Sequence, residues 1–77
     1  MVEHRPISQI AREISRDWTY IKFSAIPYLS AMRSLDQITD YYDQDSAKSV
    51  VLYFLSNATT WRGETARRIK AELKAIL

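Results

Sequence analysis

The sequence predicts an all-α domain, a small bundle of about four short helices completed by self-association. Three observations carry this reading. Apolar residues recur at spacings of three and four along most of the chain, the repeat of one helix face. The 77 residues include one glycine and two prolines, whereas an all-β chain needs turn residues about every 8–12 positions. Each proline, Pro6 and Pro27, stands where a helix could begin, and the first turn tolerates proline because its N–H groups have no intrahelical partner.

Taken in order, the first helix starts near Pro6 and carries Ile7, Ile10, Ile14, Trp18 and Ile21 on one face, with Arg5, Arg12 and Arg16 opposite. Asp17 falls beside the apolar stripe and needs a partner there. Tyr20 to Ser24 reads as the connection, with Ser24 placed to cap a second helix. That helix carries Tyr28, Ala31, Met32, Leu35, Ile38 and Tyr42. Asp43-Gln44-Asp45 breaks the pattern, and Asp45 or Ser46 is the next N-cap. Val50 through Leu55 is apolar on every side. As a strand it would have nothing to pair with, so it reads as a third helix buried nearly all round. One chain of this size hardly covers such a helix, which is the main argument for self-association. Asn57 to Thr60 interrupts again, and Thr60 is placed to cap a fourth helix. Gly63 falls in its first turn, and Ala66, Ile69, Leu73 and Ile76 form its stripe. Residues 1–77 make a single domain, whose short connections favour antiparallel neighbours.

Composition narrows the possibilities. A chain of this length buries only roughly 60% of the surface its unfolded form exposes, so it benefits from a staple. With no cysteine, disulfides and thiolate metal sites are both excluded, and a reducing compartment, the cytoplasm, is expected. His4 is the only histidine and has no second to share a metal, so neither metal nor cofactor is expected. The hydrophobic fraction of 47% is too high for disorder. No apolar run approaches the roughly 20 residues that span a bilayer, and no basic-then-apolar signal segment opens the chain. A membrane is therefore not an expected partner. Asn57-Ala58-Thr59 fits the glycosylation pattern, which has meaning only in a secreted chain.

Net charge is only +2, but it is segregated. Asp36, Asp40, Asp43 and Asp45 form an acidic stretch without a base, whereas Arg62, Arg67, Arg68, Lys70 and Lys74 crowd the last helix. Glu64, Arg68 and Glu72 stack at i, i+4 spacing and can neutralise one another. Arg67, Lys70 and Lys74 remain as a ridge without an acid. Such a ridge is a solvated helix end, a nucleic-acid stripe, or a dock for the acidic loop of another subunit.

Several motifs fall short of chemistry. Asp40, Asp43 and Asp45 lack the central glycine and closing glutamate of a calcium loop. Ile7 to Ile14 resembles the first helix of a helix-turn-helix, yet Ser15-Arg16-Asp17-Trp18 continues the helix where a tight turn should follow. No serine–histidine or carboxylate pair has the neighbours catalysis requires, so an enzyme is not expected.

The most informative stretch runs from Ser56 to Arg68. Its candidate ligand-binding residues are Asn57, Thr59, Thr60, Trp61, Arg62 and Arg67 at one helix N-terminus, where free N–H groups and the helix dipole favour anions. Trp61 suits stacking on a base and Arg62 or Arg67 suits phosphate. Against this stands a core reading, in which Thr60 caps, Trp61 fills the interior beneath the third helix, and Arg62 pairs with Asp17 or Glu13.

From about Ser8 to Leu73 the chain resembles small uncharacterised proteins of tailed bacteriophages. The resemblance rests on Phe23-Ser24-Ala25-Ile26-Pro27-Tyr28-Leu29-Ser30-Ala31-Met32 and on Val50 through Glu72, including Trp61-Arg62-Gly63-Glu64-Thr65-Ala66-Arg67-Arg68. It implies an accessory protein working in the cytoplasm of the host cell and brings no activity with it. The leading expectation is a self-associating, non-enzymatic anti-defence protein that sequesters a host protein or a small anionic nucleotide signal. The alternatives are a nucleic-acid-binding accessory protein using the last helix, and a structural assembly protein.

Overall fold

The first helix is shorter than its apolar stripe predicts, because Trp18 and Ile21 reach the core from beyond its end. In the computed structural model, which describes residues 4–77, α1 spans Ile7–Asp17 and buries Ile7, Ile10, Ala11 and Ile14. Trp18 leaves the helix but stays buried, and its N–H donates to the Ile14 carbonyl at 2.8 Å. A 3-10 turn at Phe23–Ala25 leads into α2, Ile26–Met32. A two-strand hairpin follows, β1 Tyr41–Tyr42 against β2 Asp45–Ser46, then α3 at Ala47–Ser56 and α4 at Glu64–Ile76. α2 packs on α3, while α1 packs on both α2 and α4. The thinnest dimension is 18 Å, about two helix diameters, so the helices form two layers around one core.

Aromatic side chains fill the centre of that core. Trp18 and Trp61 stack with ring centroids 5.8 Å apart, and Phe54 meets both edge-on at 6.2 and 6.4 Å. Such pairs contribute about 0.5–1.5 kcal/mol beyond the area they bury. Asp17 has the partner its position requires, because its Oδ2 accepts the Trp61 indole N–H at 2.9 Å.

The expected second helix is cut short. α2 stops at Met32, and the chain from Arg33 to Asp40 folds back instead of carrying the helix on to Tyr42. Asp40 Oδ2 accepts the backbone N–H groups of both Asp36 and Gln37 at 3.0 Å. The carbonyls of Leu35 and Asp36 accept the N–H groups of Ser8 and Ile7, at 2.6 and 2.9 Å. Side-chain bonds to nearby N–H groups compete with helix, and the opening turn of α1 takes up the carbonyls. Leu35 is nevertheless buried and Ile38 packs on the core, so these stripe positions reach the interior from a loop.

Among the described residues the fold is mostly helical with four α-helices, as expected, and the hairpin is an addition to that expectation. Asp43 has φ of 56°, a left-handed conformation that Asp tolerates in the two-residue turns joining antiparallel strands. Ser46 caps α3 as expected, its Oγ accepting the Ser49 N–H at 3.2 Å. The other two expected caps do not form. Ser24 lies inside the 3-10 turn with a buried hydroxyl that has no hydrogen-bond partner among the described residues, and α2 starts without a side-chain cap. Thr60 lies in the turn before Trp61, and the residue before α4 is Gly63, at φ 114°. That backbone conformation favours glycine.

α3 is not buried all round. Ala47, Val50, Val51 and Phe54 face the core, whereas Leu52 and Tyr53 are half-exposed, with the Tyr28 ring 5.5 Å from that of Tyr53. The charges of α4 also pair differently from the i, i+4 expectation. Arg5 grips Glu72 through two bonds of 2.7 and 2.8 Å and reaches Glu13 at 2.9 Å, and Arg68 pairs with Glu13. The network ties α1 and the segment before it to α4. It holds both glutamates below the usual carboxylate range, through hydrogen bonds from Arg5 first and, for Glu13, from Arg68 second.

Candidate functional site

The stretch between α3 and α4 divides its candidate residues between interior and surface. Asn57 closes α3, its Nδ2 donating to the Tyr53 carbonyl at 2.8 Å. Ala58 is fully buried, and the next turn leaves Thr59 and Thr60 exposed. Trp61 then plunges inward to 2% exposure. One face of its ring is covered by Trp18, and the Lys70 ammonium stands 5.8 Å from the ring centroid. The ring is thus part of the core, with no open face for a ligand's base. Arg62 is exposed, and its pairing with Asp17 or Glu13 is not formed. Asp17 is engaged by the indole and Glu13 by Arg5 and Arg68.

Around Arg62 the surface forms two adjoining clefts. The first, of about 300 Å³, is lined by Trp61, Arg62, Gly63, Ala66, Arg67 and Lys70. Among the described residues its lining holds three cationic side chains and no carboxylate. Lys70 is fixed from below, its Nζ donating to the Trp61 carbonyl at 2.7 Å. Its ammonium is pushed below the usual lysine range by burial, and further by the positive charges of Lys74 and Arg62. Like charges are therefore held close enough to disfavour one another, which a bound anion would relieve.

The helix end adds to this potential. The first hydrogen bond of α4 runs from the Arg67 N–H to the Gly63 carbonyl at 3.0 Å. The N–H groups of Glu64, Thr65 and Ala66 lie ahead of it, at the positive end of the helix dipole. Glu64 sits in this first turn, exposed and outside the cleft lining. With Arg68 and Glu72 neutralised by the network described above, Arg62, Arg67, Lys70 and Lys74 dominate this face.

The second cleft, of about 360 Å³, lies across Arg62 and is lined by Asp17, Trp18, Thr19, Tyr20, Thr60, Trp61 and Arg62. Thr19 and Tyr20 were not sequence candidates, because a connection between helices has no periodicity to mark them. Their only sequence signal is an aromatic out of phase with the α1 stripe. Among the described residues no three potential metal ligands come together, and no helix is long and apolar enough to cross a membrane. Compared with protein families, curated proteins and solved structures, the chain matches none.

Proposed function

We propose that this chain is a non-enzymatic binding protein that captures a phosphate-bearing ligand in the basic cleft at the start of α4. One observation carries the reading: Arg62, Arg67 and Lys70 converge on a single cleft with no carboxylate among the described residues that line it. Arg62 and Arg67 are free to meet phosphate with their planar forks, and Lys70 supplies a fixed charge beneath. Sequestration of a nucleotide signal in the host cytoplasm fits this chemistry and the resemblance to small tailed-phage proteins. Binding without turnover fits the carboxylates Glu13 and Glu72, which are committed to arginines.

A second reading, binding along a nucleic-acid backbone, is favoured by Lys74, which extends the row of cations beyond the cleft. Arg67 and Lys74 stand two helical turns apart, roughly 10 Å along the axis.

The test is titration of the protein with inorganic polyphosphate, a nucleotide panel and single-stranded oligonucleotides at several salt concentrations. Arg62→Ala and Arg67→Ala should each weaken binding while leaving the melting temperature unchanged, and Lys74→Ala should weaken binding of a strand alone. If the ligand is a strand, each substitution that frees one of its phosphates should lower the salt slope by about one unit. The ligand should be recovered chemically intact. Absence of binding to every one of these anions at low salt, by protein shown to be folded, would overturn the proposal.

A further inference from the structure

We infer that Tyr20 is the base-stacking surface of this site, so that the ligand is a nucleotide unit and not a bare anion. The inference rests on the phosphate-binding reading of the basic cleft and names the part of the ligand that the cleft leaves outside. Tyr20 is 92% exposed, the most exposed of the large hydrophobic side chains, so packing does not account for an aromatic there. A single exposed aromatic is common on protein surfaces, and its position is what decides the matter. Tyr20 borders the cleft that shares Trp61 and Arg62 with the basic one. An aromatic plane therefore stands on one side of Arg62, and Arg67 and Lys70 stand on the other.

The two halves differ in the way the ends of a nucleotide differ. Beside Tyr20 are the hydroxyls of Thr19 and Thr60 and the carboxylate of Asp17. Asp17 uses one oxygen on the Trp61 indole, which leaves the other as an acceptor for an amino or sugar hydroxyl group. The same carboxylate repels phosphate from this half. Phosphate is thereby directed toward Arg67 and Lys70, and the base toward Tyr20. The buried Trp61 forms the shared floor and keeps the two halves in fixed relation. An aromatic plane beside a cationic track is the general arrangement by which proteins hold nucleotides and single strands without reading their sequence.

The experiment compares a labelled single-stranded oligonucleotide, an abasic strand of equal length and inorganic polyphosphate, with free mononucleotides as competitors. The wild type should bind the base-bearing strand more tightly than the abasic one. Tyr20→Ala should weaken binding of the former by roughly 5- to 150-fold, the loss expected for one stacked base. It should leave abasic-strand and polyphosphate affinity unchanged, and Tyr20→Trp should keep the preference. Because the side chain is exposed, both variants should melt with the wild type. Given that loss in Tyr20→Ala, competition by mononucleotide would identify a free nucleotide as the stacked ligand, whereas binding of the strand alone would identify nucleic acid. Equal affinity for base-bearing and abasic strands, unaltered in Tyr20→Ala, would overturn it while leaving the basic cleft intact. Failure of all three anions to bind would overturn both.

Discussion

Trp61 and Arg62 are neighbours in sequence with opposite fates, and their substitutions should separate core from surface. Trp61→Ala removes a ring stacked on Trp18 and edged by Phe54, a loss of about 3–5 kcal/mol. A chain of this length has roughly 4–12 kcal/mol in all, so thermal melting should show a fall of about 15 °C or more, or no folded state. Arg62→Ala should stay within about 0.5 kcal/mol of wild type, since the side chain is exposed. Ser24→Ala should go the other way. Its hydroxyl is buried without a partner among the described residues, and removing it should stabilise the fold by about 1 kcal/mol. The denaturation midpoint in urea should rise with no change in slope.

At the scale of elements, the ion pairs that fasten α4 to α1 predict an acid limb. Glu13 and Glu72 titrate below the ordinary glutamate range in the folded chain, because Arg5 and Arg68 hold them as anions. Groups depressed in this way stabilise the fold above the pKa they have when unfolded, and that contribution is lost as pH falls through the folded values. The melting temperature should therefore decline from about pH 5 downward, and Glu72→Gln should flatten the decline. Both carboxylates are partly exposed, which keeps the effect modest.

Legibility followed the range of the interactions involved. The three-and-four spacing of Ile7, Ile10 and Ile14, and of Ala66, Ile69 and Leu73, made α1 and α4 readable, and Ser46 announced α3. The end of α2 was not readable, because Leu35 and Ile38 keep helical phase and what unwinds them is Asp40 together with the N–H groups of α1. The need of Asp17 for a partner was legible. That the partner is an indole 44 residues away was not. The cations of the candidate site were visible in the sequence, whereas Tyr20 on the far side of Arg62 was not.

For the whole molecule, the outer side of α3 is an apolar face open to solvent. Leu52 and Tyr53 on α3 and Ile26 on α2 leave apolar surface in water. Asp43 and Asp45, on the exposed hairpin, are opposite in charge to Arg67 and Lys74 of α4. We propose a second copy of the chain as the partner, and light scattering should give a mass above the 9.0 kDa of one chain. An interface through α3 should persist in high salt and be abolished in Tyr53→Arg. Docking of the hairpin on α4 should dissolve as salt rises, because exposed charges are screened within roughly 10 Å at 0.1 M. A 9.0 kDa species at high micromolar concentration in low and high salt alike would exclude both.

The grip of Arg5 on Glu72 joins positions 67 residues apart, and His4 and Ile76 line one small pocket with Arg5. The two ends of the described chain thus meet at one edge, while the Asp43-Gln44 turn stands exposed between two short strands. Chain order is therefore a replaceable feature of this fold. A circular permutant that begins at Gln44, ends at Asp43 and bridges residue 77 to residue 4 with a short glycine-serine linker should keep the helical spectrum. It should also keep the Trp18–Trp61 stack, read as near-ultraviolet dichroism. The basic cleft, lined from Trp61 to Lys70, would then lie in the first half of the permuted chain, with both termini moved to the hairpin.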